Sequence, residues 1–149
     1  MLSCAEFCDK FNIRLDEQQA QAVQSTDRAV LLLAVPGSGK TTTLITRVAY
    51  LIYCTGVMPE SILTMTYTVA ASNEMRARFS AVFGEEYAGR LEFRTINGVC
   101  DSIIRRYARQ TGAQRFDLVS DNGAILAEVF RTVRGEYPEG GDIKELQKA

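Results

Sequence analysis

The chain is 149 residues long with 46% hydrophobic and 23% charged residues, which suits one folded domain, or one and the beginning of another, and excludes a disordered or low-complexity chain. Seventeen basic against eighteen acidic residues leave a net charge of −1, which argues against a uniformly basic nucleic-acid binder but allows a local patch. There is no histidine, so Ser-His-Asp and Cys-His catalysis and histidine metal sites are excluded.

Along the chain, residues 2–11 read as a short helix with Phe7 and Phe11 one turn apart. Asp16 is placed to cap a second helix running to about Gln24. Residues 29–35 (AVLLLAV) are a continuous apolar run, too short for a buried helix, and are expected to form the central strand of a parallel sheet covered on both faces. A Pro-Gly-Ser-Gly turn follows, then a helix over 40–54 with Leu44, Val48, Leu51 and Ile52 at helical spacing and Gly56 as its stop. Residues 61–67 read as a second strand and 70–83 as a helix with Met75, Phe79 and Phe83 on one face, ended by Gly84. Residues 91–96 read as a third strand, 97–110 as a helix carrying Val99, Ile103, Ile104 and Tyr107, and 122–133 as a further helix. The tail from Gly135 is acidic and weakly patterned. Strand–helix alternation of this kind predicts an α/β parallel sheet with crossover helices, but it stops at three strands, which suggests part of a longer protein.

Cys4, Cys8, Cys54 and Cys100 show no CxxC spacing and are expected to be small buried hydrophobes in a reducing compartment. The longest apolar runs have seven residues, too few to span a bilayer, and the N-terminus lacks a basic signal region. The expectation is a soluble cytoplasmic protein with no membrane contact.

The strongest chemical signal is Ala34-Val35-Pro36-Gly37-Ser38-Gly39-Lys40-Thr41, between the apolar run and a helix. A triphosphate is a dense anion that backbone N–H groups can surround only where side chains stay out of the way, the place of Gly37 and Gly39. The helix that follows adds its positive end, Lys40 can reach the outer phosphates, and the Thr41 hydroxyl can ligate Mg²⁺. The strict pattern opens with Gly where this chain has Ala34. Hydrolysis needs a second element, an apolar strand ending in Asp with a nearby Glu, and no segment fits: Asp16-Glu17 lies upstream of the loop and Glu85-Glu86 is turn-like.

In order, residues 15–23 (LDEQQAQAV), the phosphate loop, residues 62–75 and residues 95–100 resemble superfamily 1 DNA helicases of the UvrD/Rep type, over about residues 13–110. The resemblance implies the N-terminal part of a first RecA-like motor domain: a P-loop NTPase parallel sheet flanked by helices, incomplete, with a helical C-terminal extension. It divides the chain into a partial ATP-binding domain over 1–112 and the start of a helical insertion over 113–149. Gln19 falls on the glutamine that reads the adenine edge, and Pro36, Gly37, Ser38, Gly39, Lys40, Thr41 and Thr42 on the phosphate loop, with Thr41 on Mg²⁺. Thr66, Tyr67 and Thr68 fall on a segment that touches single-stranded DNA, with Val69-Ala70 where the family usually has Asn-Lys. Thr95 and Asn97 fall on a second such segment, with Ile96-Asn97 in place of an aromatic-His pair; Asn97 is either a phosphate donor or a helix cap. Arg94, Arg105, Arg106, Arg109 and Arg115 against Asp101 form a basic stretch that faces either phosphate or solvent.

The expectation is therefore the ATP-binding segment of an ATP-dependent DNA helicase, a DNA-repair type of enzyme using ATP and Mg²⁺ on single-stranded DNA. It would not be competent alone, and its uncovered sheet edge would favour self-association. A small P-loop kinase and a stand-alone, non-hydrolysing nucleotide-binding module are the alternatives.

Overall fold

The computed structural model describes residues 1–114, 122–139 and 141–146. Helix α1 (Cys4–Phe11) starts at a reciprocal cap: Ser3 Oγ accepts from the Glu6 amide, and the Glu6 carboxylate accepts from the Ser3 amide at 2.8 Å. Helix α2 (Glu17–Gln24) repeats the device with Asp16 and Gln19. Helix α3 (Lys40–Tyr53) follows the glycine loop, and a single 3-10 turn at Pro59–Ser61 leads into strand β1 (Leu63–Thr66). Helix α4 (Val69–Phe83) ends at Gly84, whose φ of +89° suits a residue without Cβ. Glu85-Glu86, expected to be a turn, instead open a one-turn helix α5 (Glu85–Ala88). Strand β2 (Glu92–Thr95) and helix α6 (Ile96–Thr111) follow.

Strands β1 and β2 pair in parallel, with Leu63 opposite Glu92 and Thr66 opposite Thr95, and α4 is the crossover between them. The core lies between this pair and the helices: Ile45, Val48, Ala49 and Ile52 of α3, Met75, Phe79 and Phe83 of α4, with Phe93 of β2. Helix α1 closes the core with Phe7, fully buried and stacked on Phe83 at 6.0 Å between ring centres. Each such buried side chain contributes about 1.5–3 kcal/mol of burial energy.

The first expected strand does not form. Residues 29–35 carry no regular secondary structure, and Leu31 and Leu33 are each 82% exposed. A central parallel strand needs a backbone neighbour on each side and a layer over each face. Among the described residues β1 pairs only with β2, and residues 29–35 are all exposed, with side chains of α2 lining a shallow recess beside residues 30–33. The fold is thus a helix-rich α/β arrangement on a two-stranded parallel sheet.

The chain divides into two units, Met1–Arg106 and Tyr107–Ala149. In the second, α7 (Gly123–Arg134) ends at Gly135 (φ +80°) and packs with α8 (Asp142–Leu146), a helix in the tail expected to be weakly patterned.

Candidate functional site

The glycine loop turns through two left-handed glycines directly before helix α3. Gly37 and Gly39 take φ of +81° and +80°, where side-chain-bearing residues are strained, and a Cβ on Gly37 would meet open space. Gly39 is the N-cap of α3, so no side chain caps that helix start, and its positive end faces whatever fills the loop. Pro36 and Ser38 are exposed, and the Ser38 hydroxyl donates to the Val35 carbonyl at 2.8 Å, which tightens the turn. Lys40 folds back over the loop: its Nζ donates to the carbonyls of Val35 at 2.7 Å and Ala34 at 3.2 Å. A phosphate oxygen is a stronger acceptor for an ammonium than a neutral carbonyl, so the same lysine can transfer to a bound anion by a small swing. Thr41, at the second position of α3, is half-buried, and Thr42 is exposed.

Gln19 stands directly against this loop. Its Oε1 accepts from the Asp16 amide at 3.2 Å, while its Nε2 lies 3.5 Å from the Ser38 carbonyl. A Cβ on Gly39 would come within 3.3 Å of the same Nε2, a tight contact that would push the Gln19 amide back by a few tenths of an ångström, while the positive φ itself favours glycine. Asp16, Gln19, Leu33, Ser38, Lys40 and Thr43 are among the residues lining a recess of about 90 Å³. Thr43 was not singled out by the sequence. It is buried, and its hydroxyl donates to the Gly39 carbonyl at 3.2 Å, which fixes the start of α3. The amphipathic spacing of α3 marks Leu44 and Val48 but gives no sign of this inward threonine.

The second cluster lies at the carboxyl ends of the parallel strands, where α/β folds place ligands. Thr66 and Thr95 are register partners there. The Thr66 hydroxyl donates to the Thr68 carbonyl at 2.9 Å, and Thr68 in turn caps α4 by accepting from the Ala71 amide at 3.1 Å. Between them Tyr67 projects its ring outward, 90% exposed. Asn97 is exposed and does not cap α6. Thr95 does so, accepting from the Gly98 amide at 3.0 Å, because it stands three residues before that donor and Asn97 only one. Arg94 is engaged with Ser102 and Glu92, and Arg105 with Asp101. Part of the basic stretch is thereby neutralised within the chain. Arg115 lies outside the described residues.

Cys4, Cys8 and Cys54 are half-buried rather than buried, Cys100 is exposed, and all four are free thiols. Burial pushes the thiols of Cys8 and Cys54 above their ordinary range, with the neighbouring Cys4 adding to it, so neither is an activated nucleophile. Among the described residues no group of three or more Cys, Asp or Glu is arranged to hold a metal ion. No described helix is long and apolar enough to cross a membrane.

Residues 15–147 match the sequence profile described as the UvrD/REP helicase N-terminal domain. The chain is similar to the ATP-dependent DNA helicase PcrA of Staphylococcus epidermidis, 35% identical over 121 residues that make up 79% of this chain and 16% of that protein. It is similar to the PcrA helicase of Leuconostoc citreum, 34% identical over 80% of this chain and 16% of the relative. The ATP-dependent DNA helicase srs2 of Schizosaccharomyces pombe is 34% identical over 78% of this chain and 13% of its own length. The chain thus spans about one-sixth of the length of the curated relatives it matches.

Proposed function

The chain belongs to the UvrD/REP helicase N-terminal domain family, and from that premise we propose that it is the ATP-binding segment of a motor domain in an ATP-dependent helicase that moves on single-stranded DNA. The observation that carries the reading is the approach of Gln19 to Gly39 at the uncapped start of α3, which places an amide beside a phosphate-type loop. The PcrA and srs2 relatives are named ATP-dependent DNA helicases, which supports ATP as the nucleotide and DNA as the track. On this reading the chain comprises a partial RecA-like domain over 1–112 and the start of a helical insertion over 113–149, and it works in the cytoplasm.

Each residue has a stated task. The amides around Gly37, Ser38 and Gly39 and the first turn of α3 bind the phosphates. Lys40 leaves the Val35 carbonyl to neutralise the outer phosphates, and Thr41 offers its hydroxyl to Mg²⁺. Gln19 carries both a donor and an acceptor, as the adenine edge does. Bound ATP supplies the phosphoanhydride whose hydrolysis drives translocation in a complete motor. The described strand ends carry Thr66 and Thr95 rather than an Asp-Glu pair, so the chain alone binds ATP without turning it over. At those ends Tyr67 stacks on a base, while Thr66, Thr68, Thr95 and Asn97 lie along the phosphate backbone.

Equilibrium binding of Mg·ATP to the native chain and to Lys40→Ala tests the proposal. The expected outcome is saturable binding by the native chain, weakened at least tenfold, about 1.4 kcal/mol, by the substitution. Equal binding by the two chains would contradict it.

A further inference from the structure

We infer that Arg47 is a positioning residue for base recognition: from α3 it clamps the last turn of α2 and so holds Gln19, in the first turn of that helix, against the phosphate loop. This rests on the proposed reading of Gln19 and residues 34–41 as the nucleotide site.

Helix α2 has eight residues, too few to be stable on its own, so its ends need outside partners. Asp16 serves the N-terminal end. At the other end the last carbonyls have no partner within the helix, and no basic residue of α2 stands in its last turn. Arg47 supplies what is missing. Its Nη1 donates to the Ala22 carbonyl at 2.6 Å and lies 3.3 Å from that of Val23, and its charge meets the negative end of the helix. Val23 beside it is almost fully buried.

Arg47 follows Lys40 by seven residues on α3, about 10 Å along the axis. One rigid helix therefore carries the phosphate seat at its start and the α2 clamp two turns later. Gln19 keeps its place beside Gly39 because the far end of its own short helix is tied to that helix. The phosphate donors come from the loop and α3 and need nothing from α2. Releasing the clamp should therefore disturb the base and spare the phosphates.

The test is calorimetric titration of the 149-residue chain with Mg·ATP, Mg·GTP and inorganic tripolyphosphate, for the native sequence, Arg47→Met, Arg47→Lys and Gln19→Ala. Methionine keeps the aliphatic stem packed and removes the donors. In Arg47→Met the preference for ATP over GTP should collapse as it does in Gln19→Ala, with tripolyphosphate affinity within about twofold of native, and the variant that combines Arg47→Met with Gln19→Ala should be no worse than either single one. Lysine restores the charge without the planar fork and should give an intermediate preference. An unchanged ATP:GTP ratio in Arg47→Met, or an equal loss for all three ligands, would overturn the assignment. A native chain that does not bind tripolyphosphate would instead remove the phosphate-loop reading, and one that binds it without preferring ATP would remove the role of Gln19.

Discussion

Tyr67 stands at the point where sequence and geometry make separate demands. A tyrosine at a strand end is ordinarily a rim residue that lays its ring on neighbours. Here it is 90% exposed while Thr66 and Thr68 on either side are pinned by hydrogen bonds, so a rigid backbone presents a ring with no packing role. Tyr67→Ala should leave the melting temperature unchanged and weaken oligo-dT binding by about 1–3 kcal/mol, the worth of one base stacked on an aromatic. Fluorescence anisotropy checks the affinity, and an unaltered affinity would assign the ring no part in DNA contact. The same scale shows where sequence reading stops. Gly37 and Gly39 announce themselves because both take a positive φ that favours glycine. Asn97 offers itself as a cap for α6, but Thr95, read from the sequence only as a DNA-contact position, is the residue that accepts from the Gly98 amide. Arg47 leaves no trace, since its partners are carbonyls of α2 that only the fold brings near, and Thr43 makes only the local bond to the carbonyl four residues earlier that any helical threonine can make.

Among the elements, the start of α2 was legible, because Asp16 caps it through a contact with Gln19 three residues on, whereas α1, expected from residue 2, starts instead at Cys4 behind the Ser3 cap that closes on Glu6. Residues 29–35 show the opposite case. Their apolar run meets the composition of a central strand, but strand formation depends on neighbours, and the composition of one segment says nothing about whether they are there. Helix α1 lies before the family match, which begins at residue 15, yet it is tied firmly to the core: Phe7 is fully buried, and Leu2 donates to the Tyr53 carbonyl at 2.9 Å. Phe7→Ala should lower stability by about 3–5 kcal/mol through the cavity it leaves, read as a shift in the urea midpoint. A cost below about 1 kcal/mol would mean that α1 is an appendage rather than part of the core.

Among the described residues of each unit, several large apolar side chains lie open. Leu31 and Leu33 lie open in the first unit, and Val129 and Val133 in the second. Residues 29–35 also lack the backbone pairing that a strand of that composition would use, so they can accept another strand edge. The chain should therefore self-associate at high protein concentration, and Leu31→Glu with Leu33→Glu should return it to monomer. Sedimentation velocity across a hundredfold concentration range decides this, and a monomer throughout would mean that the run is harmless in solution.

The central claim is that the loop at the start of α3 is a nucleotide seat, and amide chemical shifts followed during titration with Mg·ATP test it most directly. The account predicts saturable shifts at the amides of Gly37, Ser38, Gly39, Lys40 and Thr41 and at the Gln19 side chain, with little change in β1 and β2. Shifts that do not saturate, or that gather away from Gly39 and Gln19, would contradict it.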